Sequence, residues 1–229
     1  NSAITITGFS GSVLSLALVI PSTTNGYPVT SITNNAFLNK SSMVSVIIPD
    51  SITNIGNSAF QSCSGITNIT IGNNVINIGS SAFQSCSKLG GVAIPNSVTN
   101  IGNSAFLSCS VLTNLTIGSS VISIGSSAFQ FCSKLASVVI PNSVINLGNS
   151  AFFSCSSLTN LTIGSSITRI GDSTFQSCTK LGGVIIPDTV TNIGSSAFSS
   201  CTSLTNAIIG SGVTSIESSA FQSCSSLTN

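Results

Sequence analysis

The stretch "SSAFQSCSKL" (Ser80–Leu89) returns almost unchanged as "SSAFQFCSKL" (Ser126–Leu135), and weaker copies lie between and beyond these two. Its Phe and its Cys each recur with a constant step of 23 residues, at Phe37, Phe60, Phe83, Phe106, Phe129, Phe152, Phe175, Phe198, Phe221, and at Cys63, Cys86, Cys109, Cys132, Cys155, Cys178, Cys201, Cys224. A period of this length is the signature of a stacked repeat array. The stretch therefore predicts nine copies of one structural unit.

The apolar spacing inside one copy predicts the shape of a coil. The unit that starts at Leu158 reads L-x-x-L-x-I-x-x-x-I-x-x-I-G-x-x-x-F-x-x-C. Alternation of Leu161 with Ile163 is typical of a short strand with one buried face. Later spacings of three, five and three suit turns and a 3₁₀-like or short helical segment. Because one coil cannot bury its own apolar side, the coils must stack into a solenoid.

A second period of 46 residues is superimposed on the first. Alternate copies carry Pro after the strand, and the copies between them carry Gly there: Pro49, Pro95, Pro141, Pro187 and Gly72, Gly118, Gly164, Gly210. Lys88, Lys134 and Lys180 follow the same longer step. Since Pro cannot donate a ladder hydrogen bond, we expect strand pairing to end at these prolines.

Composition excludes several classes of function. The 229 residues include only nine charged ones, 4% of the chain, against roughly 25% in a typical domain. A net charge of +1 without a basic cluster gives no basis for nucleic-acid binding. No apolar run is long enough to insert into a membrane. The apolar segment Val13–Ile20 lacks a positive flank, so we interpret it as a strand and not as a signal peptide.

Catalytic and cofactor-binding constellations are absent from the sequence. There is no His, so neither a Ser-His-Asp nor a Cys-His arrangement can form. The four acidic residues are scattered: Asp50, Asp172, Asp188 and Glu217. Arg169 and Asp172 are predicted to be a solvated pair, and Asp50 and Asp188 lie six repeats apart, too far for a carboxylate pair. We predict a protein that is not an enzyme and holds no cofactor.

Eight cysteines, an even number, raise the question of disulfides. Equivalent positions in stacked coils lie close enough, but their side chains run parallel, which does not suit the near-perpendicular torsion of a disulfide. Structural zinc requires clustered Cys or Cys/His spacing, which is missing here. Free Cys packs as a small hydrophobe. We predict a structural ladder of buried free thiols with no metal, and disulfides and zinc are the alternatives.

The outward side of the strands is the remaining candidate for function. If Leu161 and Ile163 point inward, the polar residues predicted to point outward at the matching strand positions are Asn68, Thr70, Asn114, Thr116, Ser137, Asn160, Thr162 and Asn206. This face lacks the Trp, Tyr and Arg that dominate binding hot spots, so a merely solvated sheet surface is the alternative to a partner-binding face. Asn39, Asn68, Asn114 and Asn160 also begin glycosylation sequons.

The repeat resembles one family of leucine-rich repeats. Its pattern is similar to the BspA-like unit L-x-x-I-x-I-P-x-x-V-x-x-I-G-x-x-A-F-x-x-C, and Val92–Cys109 follows that unit closely. The likeness runs from about Val19 to the end of the chain. It implies a leucine-rich-repeat solenoid, a curved right-handed stack with a parallel β-sheet on one face and short 3₁₀ or helical turns and loops on the other. It also implies a bacterial or protist protein that is secreted or lies on the cell surface and is associated with adhesion.

The organisation expected from these patterns is a single domain, residues 1–229. Residues 1–42 form an N-terminal cap and an atypical first repeat, in which Ile20-Pro21 is 17 residues from Phe37 and Lys40 replaces Cys. Residues 43–229 form about eight regular repeats. No cap follows Leu227-Thr228-Asn229, so we expect a longer native protein.

Two functions fit these expectations. The first is a cell-surface or secreted adhesion module that binds a protein or glycan partner through the solenoid surface. The second is a structural repeat protein that self-associates into a filament or matrix, because low charge offers little repulsion between copies and an open edge presents unpaired strands.

Overall fold

Stacked coils build two parallel ladders of strands in the computed structural model, which describes residues 3–8 and 16–228. The front ladder consists of β2 (Leu16–Val19), β5 (Met43–Ile47), β7 (Asn68–Thr70), β9 (Gly91–Ala93), β11 (Asn114–Thr116), β13 (Ser137–Val139), β15 (Asn160–Thr162), β17 (Gly183–Ile186) and β19 (Asn206–Ile209). The side ladder consists of β1 (Ile4–Ile6), β4 (Tyr27–Ile32), β6 (Asn54–Ile55), β8 (Asn77–Ile78), β10 (Asn100–Ile101), β12 (Ser123–Ile124), β14 (Asn146–Leu147), β16 (Arg169–Ile170), β18 (Asn192–Ile193) and β20 (Ser215–Ile216). The chain is therefore a β-solenoid of about nine turns.

From β5 onward, each residue of a paired front-ladder strand lies opposite the equivalent residue of the next coil, 23 positions along the chain. Val92 of β9 lies opposite Leu115 of β11, and Val138 of β13 lies opposite Leu161 of β15. Val92 is buried while Ala93 beside it is exposed, which is the predicted alternation of a strand with one buried face. Hydrogen-bonded pairing is continuous from β2 to β11 and resumes as the pairs β13–β15 and β17–β19.

The side ladder was not predicted, because each of its regular strands is only two residues long. Its outer positions carry Asn in several coils, and these amides are bonded to one another: Asn77 Nδ2 donates to Asn54 Oδ1 at 2.9 Å, and Asn100 Nδ2 donates to Asn77 Oδ1 at 2.7 Å. Ser123 follows in register and is too short to continue this amide ladder. Side-chain bonds thus reinforce the backbone pairing between coils.

The expected 3₁₀ or helical turns are wrong for the segment around each Phe. Ser58 and Ser62 adopt left-handed φ angles of 53° and 58°, and Ser or Asn does the same in nearly every other coil. The backbone N–H groups of Ser58, Phe60 and Ser62 donate to carbonyls of the next coil at 2.7–2.8 Å. Those donors are unavailable to a helix, so the segment forms tight turns, and the described residues contain no helix.

The first coil contains the only antiparallel pairing in the described part of the chain. Strand β3 (Thr23–Thr24) pairs with β4 through a turn at Asn25 and Gly26, whose φ angles are 51° and 79°. An Asn-Gly pair with both φ angles positive is the favoured two-residue hairpin turn. The extra residues of the atypical first repeat include this hairpin. The predicted apolar strand is present as β2, and Val13–Ser15 lie outside the described residues.

The core is a set of columns of equivalent residues that run along the solenoid. The nine repeat Phe rings stack with centroids 4.9–5.6 Å apart and planes within 17° of parallel. Ala precedes each Phe except in one coil, where Thr174 is fully buried. Its hydroxyl donates to the Gly171 carbonyl at 2.8 Å, which satisfies the extra polar group.

The alternation of Pro with Gly after the strand has a steric cause. A Cβ on Gly118 would lie 2.2 Å from the Pro95 carbonyl oxygen, and one on Gly164 would lie 2.3 Å from that of Pro141. These contacts involve backbone atoms, which cannot move aside as the end of a flexible side chain can. Glycine is therefore required wherever a coil lies against the proline of the coil before it.

We expect Gly118→Ala to lower the free energy of unfolding by about 3 kcal/mol, because the coil must shift away from backbone that it now overlaps. Gly183→Ala is the matched control, because a Cβ there would be 3.6 Å from its nearest neighbour, the Asn206 carbonyl oxygen. That change should alter stability by less than about 1 kcal/mol. Urea denaturation followed by circular dichroism measures both variants, and equal losses would contradict the steric explanation.

Candidate functional site

The strand face, defined as the outward side chains of the front ladder, consists of two adjacent columns. The amide column contains Ser45, Asn68, Gly91, Asn114, Ser137, Asn160, Gly183 and Asn206. The second column contains Ile47, Thr70, Ala93, Thr116, Val139, Thr162, Ile185 and Ile208. All eight residues that the sequence proposed for partner binding are exposed here. Whether they bind a partner stays a prediction.

Two notches interrupt the amide column. The first lies over Gly91, between Asn68 and Asn114, and has a volume of about 310 Å³. The second lies over Gly183, between Asn160 and Asn206, and has a volume of about 420 Å³. Each notch repeats one pattern, in which a coil without a side chain in the column separates two coils that carry Asn.

The walls of a notch combine amide groups with apolar side chains. The side-chain amides of Asn68, Asn114 and Asn206 make no hydrogen bond to any residue that the structure describes, and Asn160 Nδ2 makes a long one of 3.3 Å to Thr159 Oγ1. In the second notch Ile185 is 65% exposed and Ile208 is 51% exposed. Both notches therefore offer amide groups that are free to bond a ligand, and the second adds exposed apolar surface.

Charge plays no part on this surface. None of the front-ladder strands from β5 to β19 contains a charged residue. A ligand held here would be recognised by hydrogen bonds and apolar contact, without the salt dependence that ion pairing brings. The sequons at Asn68, Asn114 and Asn160 lie on the same face, and Asn39 lies exposed in the first coil.

The acidic residues serve as links between coils. Asp50 and Asp188, which follow equivalent prolines, each accept a backbone N–H from the next coil, at 2.6 Å from Asn73 and 2.7 Å from Ser211. The bond from the Ser211 N–H lowers the pKa of the Asp188 carboxyl.

The Arg169–Asp172 pair belongs to a larger exposed network on the side ladder. Arg169 donates to Asp172 at 2.8 Å and, through Nε, to Asn192 at 2.9 Å. Asn192 and Ser195 in turn donate to Glu217, and these bonds lower the pKa of its carboxyl. The sequence predicted the Arg169–Asp172 pair but not the other bonds. Asn192 lies 23 residues from Arg169, and Glu217 lies 25 residues from Asn192.

The cysteines form one column behind the Phe stack. All eight are free thiols, seven of them buried and Cys224 half-buried. Each Sγ donates to the carbonyl oxygen of the Phe in the preceding coil, for example Cys109 to Phe83 at 3.3 Å and Cys63 to Phe37 at 3.0 Å. Burial raises the pKa of the Cys63 thiol to about 11 and that of Cys132 to about 12. Such thiols are poor nucleophiles at neutral pH.

Among residues 3–8 and 16–228, no group of three or more Cys, Asp or Glu side chains could hold a metal ion. Across the same residues, no helix is long and apolar enough to span a bilayer.

The notches were missed at the sequence level although their glycines are visible there. Gly90-Gly91 and Gly182-Gly183 stand where other coils carry pairs such as Thr113-Asn114. The informative signal was a Gly pair whose second glycine begins a strand and which needs no left-handed backbone, since neither pair has a positive φ. A glycine in a strand can mark a place where a ligand or another backbone approaches closely.

The sequence matches a known family over nearly its whole length. The family described as "BspA type Leucine rich repeat region" matches residues 9–121 and 100–228, in six copies. No curated protein matches the chain in sequence.

Solved structures with similar folds come from bacteria. A leucine-rich repeat protein of T. pallidum is 28% identical with a TM-score of 0.65, over 88% of this chain and 83% of the other. A leucine-rich repeat protein of Eubacterium ventriosum is 19% identical with a TM-score of 0.63, over 93% and 65% of the two chains. The pneumococcal vaccine antigen PcpA is 19% identical with a TM-score of 0.55, over 99% and 80%. The last two likenesses concern the fold alone.

Proposed function

The chain belongs to the BspA-type leucine-rich repeat family, and from this premise we propose that it is a non-enzymatic recognition module of the cell surface or secreted space. It binds a protein or glycan partner across the strand face. The resemblance to a family of surface adhesion proteins supports the location, and the lack of His and of any carboxylate pair supports a role in binding and not in catalysis.

The pair of notches carries this proposal. Glycine inside a strand weakens it by roughly 0.5–1 kcal/mol relative to Ala, so an unneeded glycine calls for a reason. A Cβ on Gly91 would be 3.4 Å from its nearest neighbour and one on Gly183 would be 3.6 Å away. The fold would therefore accept a side chain at both positions. Close approach of a ligand is one of the few roles that a strand glycine has.

The spacing of the notches favours an extended partner. They lie four coils apart, which is about 19 Å at a strand spacing of about 4.8 Å. A partner that fills both would cover Ser137 and Val139 between them, and Val139 is 59% exposed. Two contacts on one partner reinforce each other because the second becomes intramolecular once the first has formed.

We expect Gly91→Asn and Gly183→Asn each to weaken binding about tenfold, and the double variant to abolish it, because Asn fills the notch with the residue of the neighbouring coils. The assay measures capture of host-cell and extracellular-matrix proteins and glycans by protein fixed on beads. Ser123→Asn is the matched control, since it adds the same side chain to the side ladder.

The outcomes separate the candidate functions. Full binding by the double variant, with a circular dichroism spectrum like that of the parent, would contradict the strand-face proposal. The exposed side chains of Val139, Ile185 and Ile208 favour self-association as a second candidate. In that case sedimentation shows a concentration-dependent oligomer of the parent that the double variant does not form.

A further inference from the structure

A second surface, formed by the turns that precede the strand face in each coil, has features that the strand-face proposal does not use. A trough of about 600 Å³ follows the tight turns after the Phe stack. Three successive coils each contribute two serines to it, beginning with Ser62 and Ser64 and ending with Ser108 and Ser110, and Phe131 closes it in the fourth coil. We call this cavity the serine trough.

Phe131 is an anomaly of both sequence and backbone. Its column holds Ser in seven other coils and Asn39 in the first. Its φ is 60°, in the left-handed region that Ser and Asn tolerate and that is unusual for a bulky residue. The ring is outside the core stack, 44% exposed, and meets Phe153 edge-to-face at a centroid distance of 5.6 Å. Core packing therefore does not account for this exposed aromatic pair.

The serines leave hydrogen-bonding capacity open toward the trough. The hydroxyls of Ser62, Ser85 and Ser108 make no hydrogen bond to residues in the described ranges. The hydroxyls of Ser110 and Ser133 donate backward along the stack, Ser133 to the Ser110 carbonyl at 3.2 Å, and keep their lone pairs as acceptors. A ligand in the trough meets donors and acceptors once per coil.

In the sequence, a lysine directly follows a serine of the trough at every second coil. Lys88 directly follows Ser87 of the trough, Lys134 follows Ser133, and Lys180 continues the column beyond Phe131. All three are exposed, and none takes part in an ion pair within the described part of the chain. Two strand spacings separate one lysine from the next, about 10 Å. Val111 and Ser157 occupy the positions between them, so no acid neutralises the column.

We propose that the serine trough binds an acidic polysaccharide that carries one carboxylate per disaccharide. The step from coil to coil is close to the length of one pyranose unit in an extended chain, so each sugar meets one pair of serines. The lysines then meet alternate sugars, where the carboxylates lie. The Phe131 ring gives the apolar face of one pyranose a surface on which to stack, and its exposure serves that contact.

Hyaluronan oligosaccharides, in which glucuronic acid alternates with a neutral sugar, are the test probe. We expect the parent to bind them, with an affinity that falls as salt rises. Lys88→Gln combined with Lys134→Gln should weaken binding at least tenfold and flatten the salt dependence. Phe131→Ser, which restores the residue of the column, should weaken binding about fivefold and leave the salt dependence unchanged.

The controls distinguish a built site from general attraction. Arg169→Gln removes one positive charge on the side ladder and should bind as the parent does. Carboxyl-reduced hyaluronan tests the charge, and poly-glutamate tests charge without sugar; neither should bind comparably. Equal binding of either probe, equal loss with Arg169→Gln, or no binding of hyaluronan by the parent would overturn the proposal. The Gly91→Asn, Gly183→Asn double variant should retain hyaluronan binding, so failure of the strand-face proposal is a separate result.

Discussion

Raising the pH above about 9 is expected to unfold this protein, with a midpoint near pH 10, because seven buried thiols cannot ionise while the coils stay stacked. Burial raises the pKa of Cys63 to about 11 and those of Cys132 and Cys201 to about 12, from an ordinary value of 9.0. It raises the pKa of the other four buried thiols as well: Cys86, Cys109, Cys155 and Cys178. The folded state keeps protons that the unfolded chain releases.

The sign and size of the effect follow from this difference in bound protons. Below pH 9 both states are protonated and stability is independent of the thiols. Between pH 9 and about pH 11, where the folded Cys63 itself begins to ionise, each buried thiol lowers the free energy of unfolding by about 1.4 kcal/mol per pH unit, so seven of them lower it by about 10 kcal/mol per unit. That loss compares with a total stability of about 5–15 kcal/mol for a typical domain.

Circular dichroism as a function of pH, together with urea denaturation at several pH values, measures the transition. Cys132→Ala is the control: whatever its effect at pH 7, it should reduce the slope of stability against pH by about one seventh. A thiol reagent at pH 8 should count eight reactive cysteines in denaturant and, in the native protein, react first with half-buried Cys224. Stability that stays constant up to about pH 10.5 would contradict the buried-thiol column.

Residue columns could be predicted from the sequence because each coil repeats the same environment. A single period of 23 placed Phe and Cys in the core, and the alternation around Leu161 assigned inward and outward positions on the front ladder. Stacking brings equivalent residues into register, so the inward or outward position assigned in one coil applies to the other coils as well. The agreement of many copies removes the ambiguity that a single short strand has.

Features that depend on backbone conformation were not predictable in the same way. The two-residue strand Asn54–Ile55 is too short for an alternating pattern, so the side ladder left no periodic signal. Apolar spacings of five and three around Phe60 fit a helical turn as well as the observed turns. Only the left-handed φ of Ser58 and Ser62, and their bonds to the next coil, exclude the helix.

The candidate sites depend on exceptions to the repeat, and this explains why sequence reasoning found the faces and missed the cavities. Gly183 and Phe131 each replace the ordinary residue of a column. In the sequence, either replacement resembles neutral variation. The structure distinguishes them: Gly183 leaves a notch that its backbone does not require, and Phe131 holds a bulky ring in a left-handed conformation.

Phe106→Ala is expected to have the largest effect of any single substitution, a loss of about 3–5 kcal/mol in the free energy of unfolding from the cavity alone. Phe106 is fully buried, and its ring stacks between Phe83 at 5.2 Å and Phe129 at 5.3 Å. Each lost ring pair adds about 0.5–1.5 kcal/mol. Phe106→Leu, which keeps most of the volume, should lose less and shows that the site still folds.

The same truncation at Phe221 tests whether coils depend only on their neighbours. Phe221 is half-buried and stacks with one described ring, that of Phe198, at 5.3 Å. In a one-dimensional array each interface contributes separately, so Phe221→Ala should cost about half as much as Phe106→Ala. In a protein of residues 1–229, hydrogen exchange should also show the difference, because a weakened central interface opens both halves of the stack and a weakened interface at Phe221 frees one coil. Equal loss of protection in every coil for both variants would mean that the solenoid unfolds as one cooperative body and would contradict the nearest-neighbour description.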